Sequence, residues 1–224
     1  PVWQRDGAAA GLACLLLAPL ALRLLIAFAS YLLSRAKGIA IPAELRLGPI
    51  AWCRFFVVEY WQLCVQNLLL IPFRRLLRTP DECGRGGANG RVLLLQHGYL
   101  NNSGVWFPTA RALSAMGYRV FTCDQPAFAS IDAMGARLAL RVDEVLAATG
   151  APRLTLVAHS MGGLVCRAYL RSFGDSKVDA LVTLGSPHHG TFHAYAANGE
   201  NGHQMRPGNA WLRALNEVTV TVPF

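Results

Sequence analysis

The sequence predicts an α/β fold with a mostly parallel sheet, preceded by a hydrophobic helical N-terminal segment. Three observations carry this. After residue 90, short continuous apolar runs alternate with stretches of helical period, the pattern of parallel strands buried on both faces under crossover helices. A serine with small neighbours, in Ala158-His159-Ser160-Met161-Gly162-Gly163, falls between one such run and the helix after it. Ahead of residue 80 the composition changes, and most of the chain's apolar excess is found there.

The N-terminal part comes first. Residues 8–34 form an apolar run long enough to cross a bilayer, with Arg23 its one charge and Pro19 a source of a kink. A transmembrane helix is the leading reading; a signal peptide and a buried or interfacial helix compete with it. Residues 50–72 form a second apolar run in which Glu59, Gln62 and Gln66 share one helical face, so an amphipathic helix is expected. Residues 1–78 are thus expected to be membrane-associated and helical. Residues 79–90, rich in turn formers, read as a linker to a catalytic domain over 91–224. The excess of Arg35, Lys37 and Arg46 after the first helix would put that domain on the cytoplasmic side of a bacterial inner membrane.

The 224 residues allow one domain with a sizeable core and a small appendage. Hydrophobic residues make up 53% and charged ones 15%, an apolar balance. The net charge of +8 raises nucleic acid as a partner, but the basic residues are scattered and no basic helix is interleaved with aromatics. Arg74, Arg75 and Arg78 directly follow an apolar run, a placement that suits anionic lipid head groups. The six cysteines form no CxxC pair and no metal-ligand spacing, consistent with unpaired thiols. The chain opens on Pro1 rather than Met, which reads as a fragment or a processed chain.

In the catalytic region, Val92–Gln96 is a buried strand, Trp106–Met116 a short helix and Tyr118–Cys123 a strand. Residues 131–148 place Ile131, Met134, Leu138, Val142 and Val145 on one helical face, and Gly150–Pro152 ends that helix. Leu154–Ala158 is a strand, Met161–Phe173 a helix and Ala180–Leu184 a strand. Pro207–Asn216 reads as a short helix and Val218–Val222 as a last strand. There is no internal repeat.

The strand–Ser160–helix context is that of a nucleophile elbow, a tight turn that lifts a serine hydroxyl above a sheet and needs small residues beside it. Ala158, Gly162 and Gly163 meet that need. The helix after Ser160 points its positive end at the hydroxyl. The competing reading is an ordinary helix-capping serine. An acyl-transfer site also needs two backbone N–H groups aimed at the developing oxyanion. Met161, the residue after the serine, is one candidate, and Tyr99, after His97-Gly98, is the other. His97, His159, His188 and His189 are candidate cleft residues, with Phe107, Phe128 and Phe192 as candidate pocket walls. The histidines of Thr183–Phe192 could equally serve as loop residues that cap backbone groups.

Taken together, QHG, AHSMGG and LGSPHHGT resemble the α/β-hydrolase superfamily, most closely its bacterial triacylglycerol lipase and esterase group, over roughly residues 90–220. Alanine in the first elbow position is a variant that some lipases of that group carry, and PGNAWLRALN resembles the segment that follows their HHG loop. The hydrophobic leader is outside the match and resembles membrane-associated N-termini of some members. The resemblance implies a serine hydrolase of carboxylic esters, with lipid or fatty-acyl esters the leading substrates. Ser160 would form the acyl-enzyme, and Tyr99 and Met161 would make the oxyanion hole. Acyl transfer to another alcohol, or a catalytically inactive membrane-tethered binding domain, are the alternatives.

The sequence departs from the family in one respect. The triad acid and then the histidine should follow the last strand, yet the carboxylates after Ser160 are Asp175, Asp179, Glu200 and Glu217. Asp175 and Asp179 precede a strand and belong at the wrong end of the sheet. His203 is the one substitute base, and a truncated C-terminus, with acid and base beyond Phe224, is the simpler expectation. No cofactor is indicated, since G-x-G-x-x-G is absent. A structural calcium ion, found in some members of the family, would need carboxylates that the chain mostly lacks.

Overall fold

A computed structural model describes residues 2–37, 44, 46–78 and 90–224. The expected linker, Gly90 apart, lies outside the described residues. The chain divides into two compact units, Pro1–Leu69 and Leu70–Phe224.

In the first unit, helices α1 (Val2–Lys37) and α2 (Pro49–Val65) pack on each other. Pro49, lacking an N–H, opens α2 at no cost to its hydrogen bonding. Tyr31 packs against Trp52 with ring centroids 4.7 Å apart, and Tyr60 Oη donates to the Leu20 carbonyl at 2.9 Å. The expected transmembrane helix over 8–34 does not stand, because among the described residues no helix is long and apolar enough to cross a membrane. Membrane association and an inner-membrane placement with a cytoplasmic catalytic domain fall with it. Run length misleads here for two reasons. Arg23 interrupts the run with a charge that is costly at mid-span, and Tyr31 and the Leu20 carbonyl of the run meet Trp52 and Tyr60 of α2.

The second unit is built on a parallel sheet of β1 (Val92–Gln96), β2 (Arg119–Cys123), β3 (Leu154–His159) and β4 (Val178–Leu184), in the order β2-β1-β3-β4. All five residues of β1 are buried, as its place between two neighbours requires. Its side chains divide between two cores. Leu93 and Leu95 pack with Val120, Trp106 and Ala110 on the face covered by α3 (Phe107–Ala115). Leu94, Phe121 and Leu156 pack on the opposite face with α4 (Ile131–Thr149) and α5 (Met161–Phe173). The expected stripe Ile131, Met134, Leu138, Val142 and Val145 is the buried face of α4. Ser130 caps the start of that helix, and Gly150, at φ 69°, closes it in the left-handed region.

This topology decides where a site can form. The chain leaves β1 for β2 on one side and returns to β3 on the other, so β1 and β3 are the strands between which the winding reverses. Ligands in open α/β sheets bind beyond the carboxyl ends of such strands. Residues 97–99 and Ser160 leave those two ends.

Two elements differ from expectation. Val218–Val222 is not a strand: a single bond, Leu181 N–H to the Pro223 carbonyl at 2.9 Å, ties this stretch to β4, while Val222 fills the core. A polar stretch to which the sequence assigns no element contains helix α6 (Gly199–Gln204). Side chains hold α6 in place, with Asn201 Nδ2 donating to the Ala127 carbonyl at 2.9 Å and Gln204 Oε1 accepting from the Ile131 N–H at 2.6 Å. Helix α7 (Ala210–Glu217) follows, capped by Asn209.

Candidate active site

Ser160 links β3 directly to α5, with φ 53° and ψ −129°. Among the described residues, Ser160 and Leu100 are the non-glycine residues with positive φ. Holding a side chain there costs on the order of 1–3 kcal/mol and persists only where the surroundings enforce it. The enforcement is visible. The Ser160 N–H donates to the Leu184 carbonyl at 2.9 Å, and the Ser160 carbonyl accepts from the Gly163 N–H at 3.1 Å. Although Ser160 occupies the capping position of α5, its hydroxyl makes no capping bond. The plain helix-cap reading therefore leaves both the strain and the uncommitted hydroxyl unexplained.

The small residues nearby each have a spatial reason. A Cβ on Gly162 would lie 2.6 Å from the Gln96 carbonyl oxygen and 2.8 Å from that of His97. One on Gly163 would lie 2.2 Å from Ser186 Oγ. One on Gly98 would lie 2.9 Å from Ser160 Cβ. The elbow can approach the ends of β1 and β4 only because these positions have no side chain. Ala158 and Met161, on either side, are buried.

His97 is not a cleft residue. It is buried, and Nε2 accepts from the Gln125 N–H at 3.1 Å. Nδ1 therefore carries the proton and donates to the Gly98 carbonyl at 2.9 Å. This is the neutral ring, and burial accordingly pushes its pKa below the ordinary value, against the weaker opposing pulls of the Gly98 carbonyl and Asp124. His97 thus fastens the loop after β1 to the loop after β2. Gln125 adds to the fastening, its Nε2 donating to Gln96 Oε1 at 3.0 Å and to the Met134 carbonyl at 3.2 Å. Asp124 accepts from the Ser103 N–H at 2.7 Å and pairs with Arg74.

Tyr99 follows that loop glycine. Its hydroxyl donates to the Asn198 carbonyl at 2.9 Å and accepts the Asn198 N–H at 2.8 Å, tying the loop to the residue that opens α6. The ring of His159 lies edge-on to Trp106, with centroids 6.5 Å apart, and desolvation lowers its pKa. His188 bridges Thr183 Oγ1 at 3.2 Å and Arg167 at 3.4 Å, and desolvation, then Arg167 and His189, lower its pKa. His188 is a loop fastener rather than an open cleft residue. His189 and His203 are exposed, as are Phe128 and Phe192, while Phe107 is half-buried. Among the described residues no histidine or carboxylate hydrogen-bonds to Ser160 Oγ, so the structure does not join His203 to it. No group of three or more His, Cys, Asp and Glu among the described residues could hold a metal ion.

Sequence reading missed Asp124, Gln125, Arg167 and Asn198. The first two directly follow the carboxyl end of a strand, which was a usable signal. The buried Arg167 donates to Asn216 Oδ1 at 2.7 Å and to the Leu215 carbonyl at 3.0 Å, partners almost fifty residues away that no local pattern announces.

Comparison with known proteins bears on the fold. The matching family model is that of the alpha/beta hydrolase fold, over residues 91–207. A triacylglycerol lipase of Pseudarthrobacter phenanthrenivorans is 32% identical over 108 residues, 44% of this chain and 34% of that protein. One of Burkholderia plantarii is 32% identical over 108 residues, 44% of this chain and 30% of that protein. The chain thus spans about a third of the length of these curated relatives. Among solved structures, the mature lipase of Bacillus licheniformis matches in fold with a TM-score of 0.55 at 21% identity, over 62% of each chain. The parallel sheet, the strained serine between β3 and α5 and a family match over more than half of the residues lead to one conclusion: the chain belongs to the α/β-hydrolase fold family.

Proposed function

We propose that the protein is a carboxylic-ester hydrolase of the lipase and esterase type, working through an acyl-enzyme on Ser160. The observation that carries this reading is the positive φ of Ser160, at the carboxyl end of a central strand, with its hydroxyl left uncommitted by the helix it precedes. In the first half-reaction Ser160 Oγ attacks the ester carbonyl carbon, its proton passes to the leaving alcohol, and the carbon–oxygen bond of the ester breaks. In the second, water attacks the acyl-enzyme, the carboxylic acid departs and the serine regains its proton. The backbone N–H groups of Tyr99 and Met161 serve as oxyanion donors, one from the loop fastened by His97 and one from the first turn of α5. A serine hydroxyl is a weak nucleophile until a base takes its proton, so the product of the natural gene is the form to assay.

Fatty-acyl esters are the proposed substrates. The two curated relatives described above are named triacylglycerol lipases, and exposed Phe192 stacks on exposed Tyr195 in the segment after β4, offering apolar contact for an acyl chain. Hydrolysis of p-nitrophenyl esters from butyrate to palmitate tests this reading. Activity that falls at least about a thousandfold in Ser160→Ala is expected. Undiminished activity in that variant would remove Ser160 from the mechanism.

A further inference from the structure

The loop that carries Tyr99 is fastened at both ends. His97 and Gln125 hold the end next to β1. The other end is Asn102-Ser103, where the chain turns into the short 3-10 helix Ser103–Trp106. There the Asp124 carboxylate accepts from the Ser103 N–H at 2.7 Å and from Ser103 Oγ at 3.1 Å. Asn102 Oδ1 accepts from the Gly104 N–H at 3.0 Å, and Asn102 Nδ2 donates to the Ile71 carbonyl at 2.9 Å.

Ile71 belongs to a strap of chain, residues 70–76, that precedes the sheet. The strap lies against the outer end of the loop at backbone distance. A Cβ on Gly104 would lie 2.0 Å from the Leu70 carbonyl oxygen and 3.0 Å from Arg74 Cβ, so this approach needs a glycine. From the strap, Arg74 reaches across to pair with Asp124. Arg137 Nε of α4 donates to the Asp124 carbonyl at 2.9 Å and holds that residue from the other side. The carboxylate thus joins the guanidinium of the strap to both donors of Ser103.

Between the fixed ends lie Gly98, Tyr99, Leu100 and Asn101. The Asn101 N–H reaches the Gly98 carbonyl at 3.4 Å, the Tyr99 hydroxyl is tied to Asn198, and Leu100 stands at φ 51°. A leucine in the left-handed region persists only where its surroundings over-determine it, and the fastened ends supply that constraint.

We infer that Asp124 and Arg74 are positioning residues for ester hydrolysis. By fixing Ser103 they set where the Tyr99 N–H points, and through them the strap ahead of the sheet becomes part of the active site. The inference rests on the acyl-enzyme reading of Ser160. An ion pair whose side chains are 41% and 31% exposed stabilises a fold little, so its effect belongs to the geometry of the loop. Arg74 acts at second remove, through Asp124 and Ser103, so its loss should cost about tenfold in rate, less than removal of an oxyanion donor itself.

Kinetics of the natural gene product test this, with p-nitrophenyl butyrate as substrate and an alkyl trifluoromethyl ketone as inhibitor. Ser160 Oγ adds to the ketone carbon, and the carbonyl electron pair moves onto the oxygen, which then takes the place of the oxyanion. Arg74→Ala should lower kcat about tenfold and raise the Ki of the ketone about tenfold, with KM changed by less than about twofold. Asp124→Asn should act in the same direction, and Arg74→Lys, which keeps the charge, should recover most of both losses. A merely structural role would lower kcat through a smaller folded fraction and leave the Ki of the surviving enzyme unchanged. Ser160-dependent hydrolysis with kcat and Ki untouched by Arg74→Ala, or with kcat lowered at constant Ki, would overturn the proposal. Hydrolysis that persists in Ser160→Ala would instead overturn the reading beneath it. Amide exchange at Tyr99 and Leu100 follows the loop without substrate: it should quicken in Arg74→Ala, and unchanged protection there would overturn the positioning role whatever the substrate.

Discussion

Gly98 stands against Ser160: a Cβ on Gly98 would lie 2.9 Å from Ser160 Cβ and 3.4 Å from Ser160 Oγ. The contact joins the loops that leave β1 and β3, the two strands between which the winding reverses. The third close neighbour of that Cβ is backbone, the His159 carbonyl oxygen at 3.1 Å, which cannot turn aside as a flexible side chain would. Gly98→Ala should therefore move the loop carrying Tyr99 away from Ser160. Since displacements of about 1 Å can cost about a hundredfold in rate, kcat/KM for ester hydrolysis should fall on that order. The thermal midpoint, followed by circular dichroism, should move much less.

Gly163 has a different neighbour. Its added Cβ would meet Ser186 Oγ at 2.2 Å, Ser186 Cβ at 2.7 Å and Thr183 Cγ2 at 3.0 Å, all of them side-chain atoms. Gly163→Ala should destabilise by about 1–3 kcal/mol, as overpacking does. Adding Ser186→Gly should restore part of the loss, and urea unfolding of the single and double variants measures that coupling.

His97 should make stability depend on pH. Burial favours the neutral ring, so the folded pKa is below the unfolded one. As pH falls below about 6.5 the unfolded chain takes up a proton first, and stability that is fully present above that pH is lost as pH falls through the folded pKa. The gap in unfolding free energy between the natural protein and His97→Gln should thus narrow from pH 8 to pH 5. Urea unfolding across that range would show a constant gap if His97 were not held neutral.

Tyr99 and Asn198 exchange two hydrogen bonds at an exposed position. Water can replace them, so Tyr99→Phe should cost only about 0.5–1.5 kcal/mol. Amide exchange at Asn198 should accelerate, because its N–H loses its acceptor, while exchange within β3 stays slow.

Much of the catalytic region was legible because its signals are local. The five-residue apolar run of β1 and the heptad-like stripe of α4 are buried as their periods require, and Ser160 could be read from its small neighbours. What failed depended on partners distant in sequence. α6 is polar in composition and is held by bonds from Asn201 and Gln204 to residues more than seventy positions away. Val218–Val222 has the composition of a strand, but one ladder bond does not make it one. The role of His97 rests on Gln125, twenty-eight residues on. For the N-terminal run, length and hydropathy suggested a bilayer, whereas α2 is the partner that the structure provides.

The central claim is that the strained serine is the nucleophile. Labelling the natural gene product with a fluorophosphonate, followed by peptide mapping in the mass spectrometer, tests it most directly. The account predicts one adduct, on the peptide containing Ser160, and none in a folded Ser160→Ala variant. A folded protein that hydrolyses esters with no adduct at Ser160, or with the adduct on another residue, would contradict it.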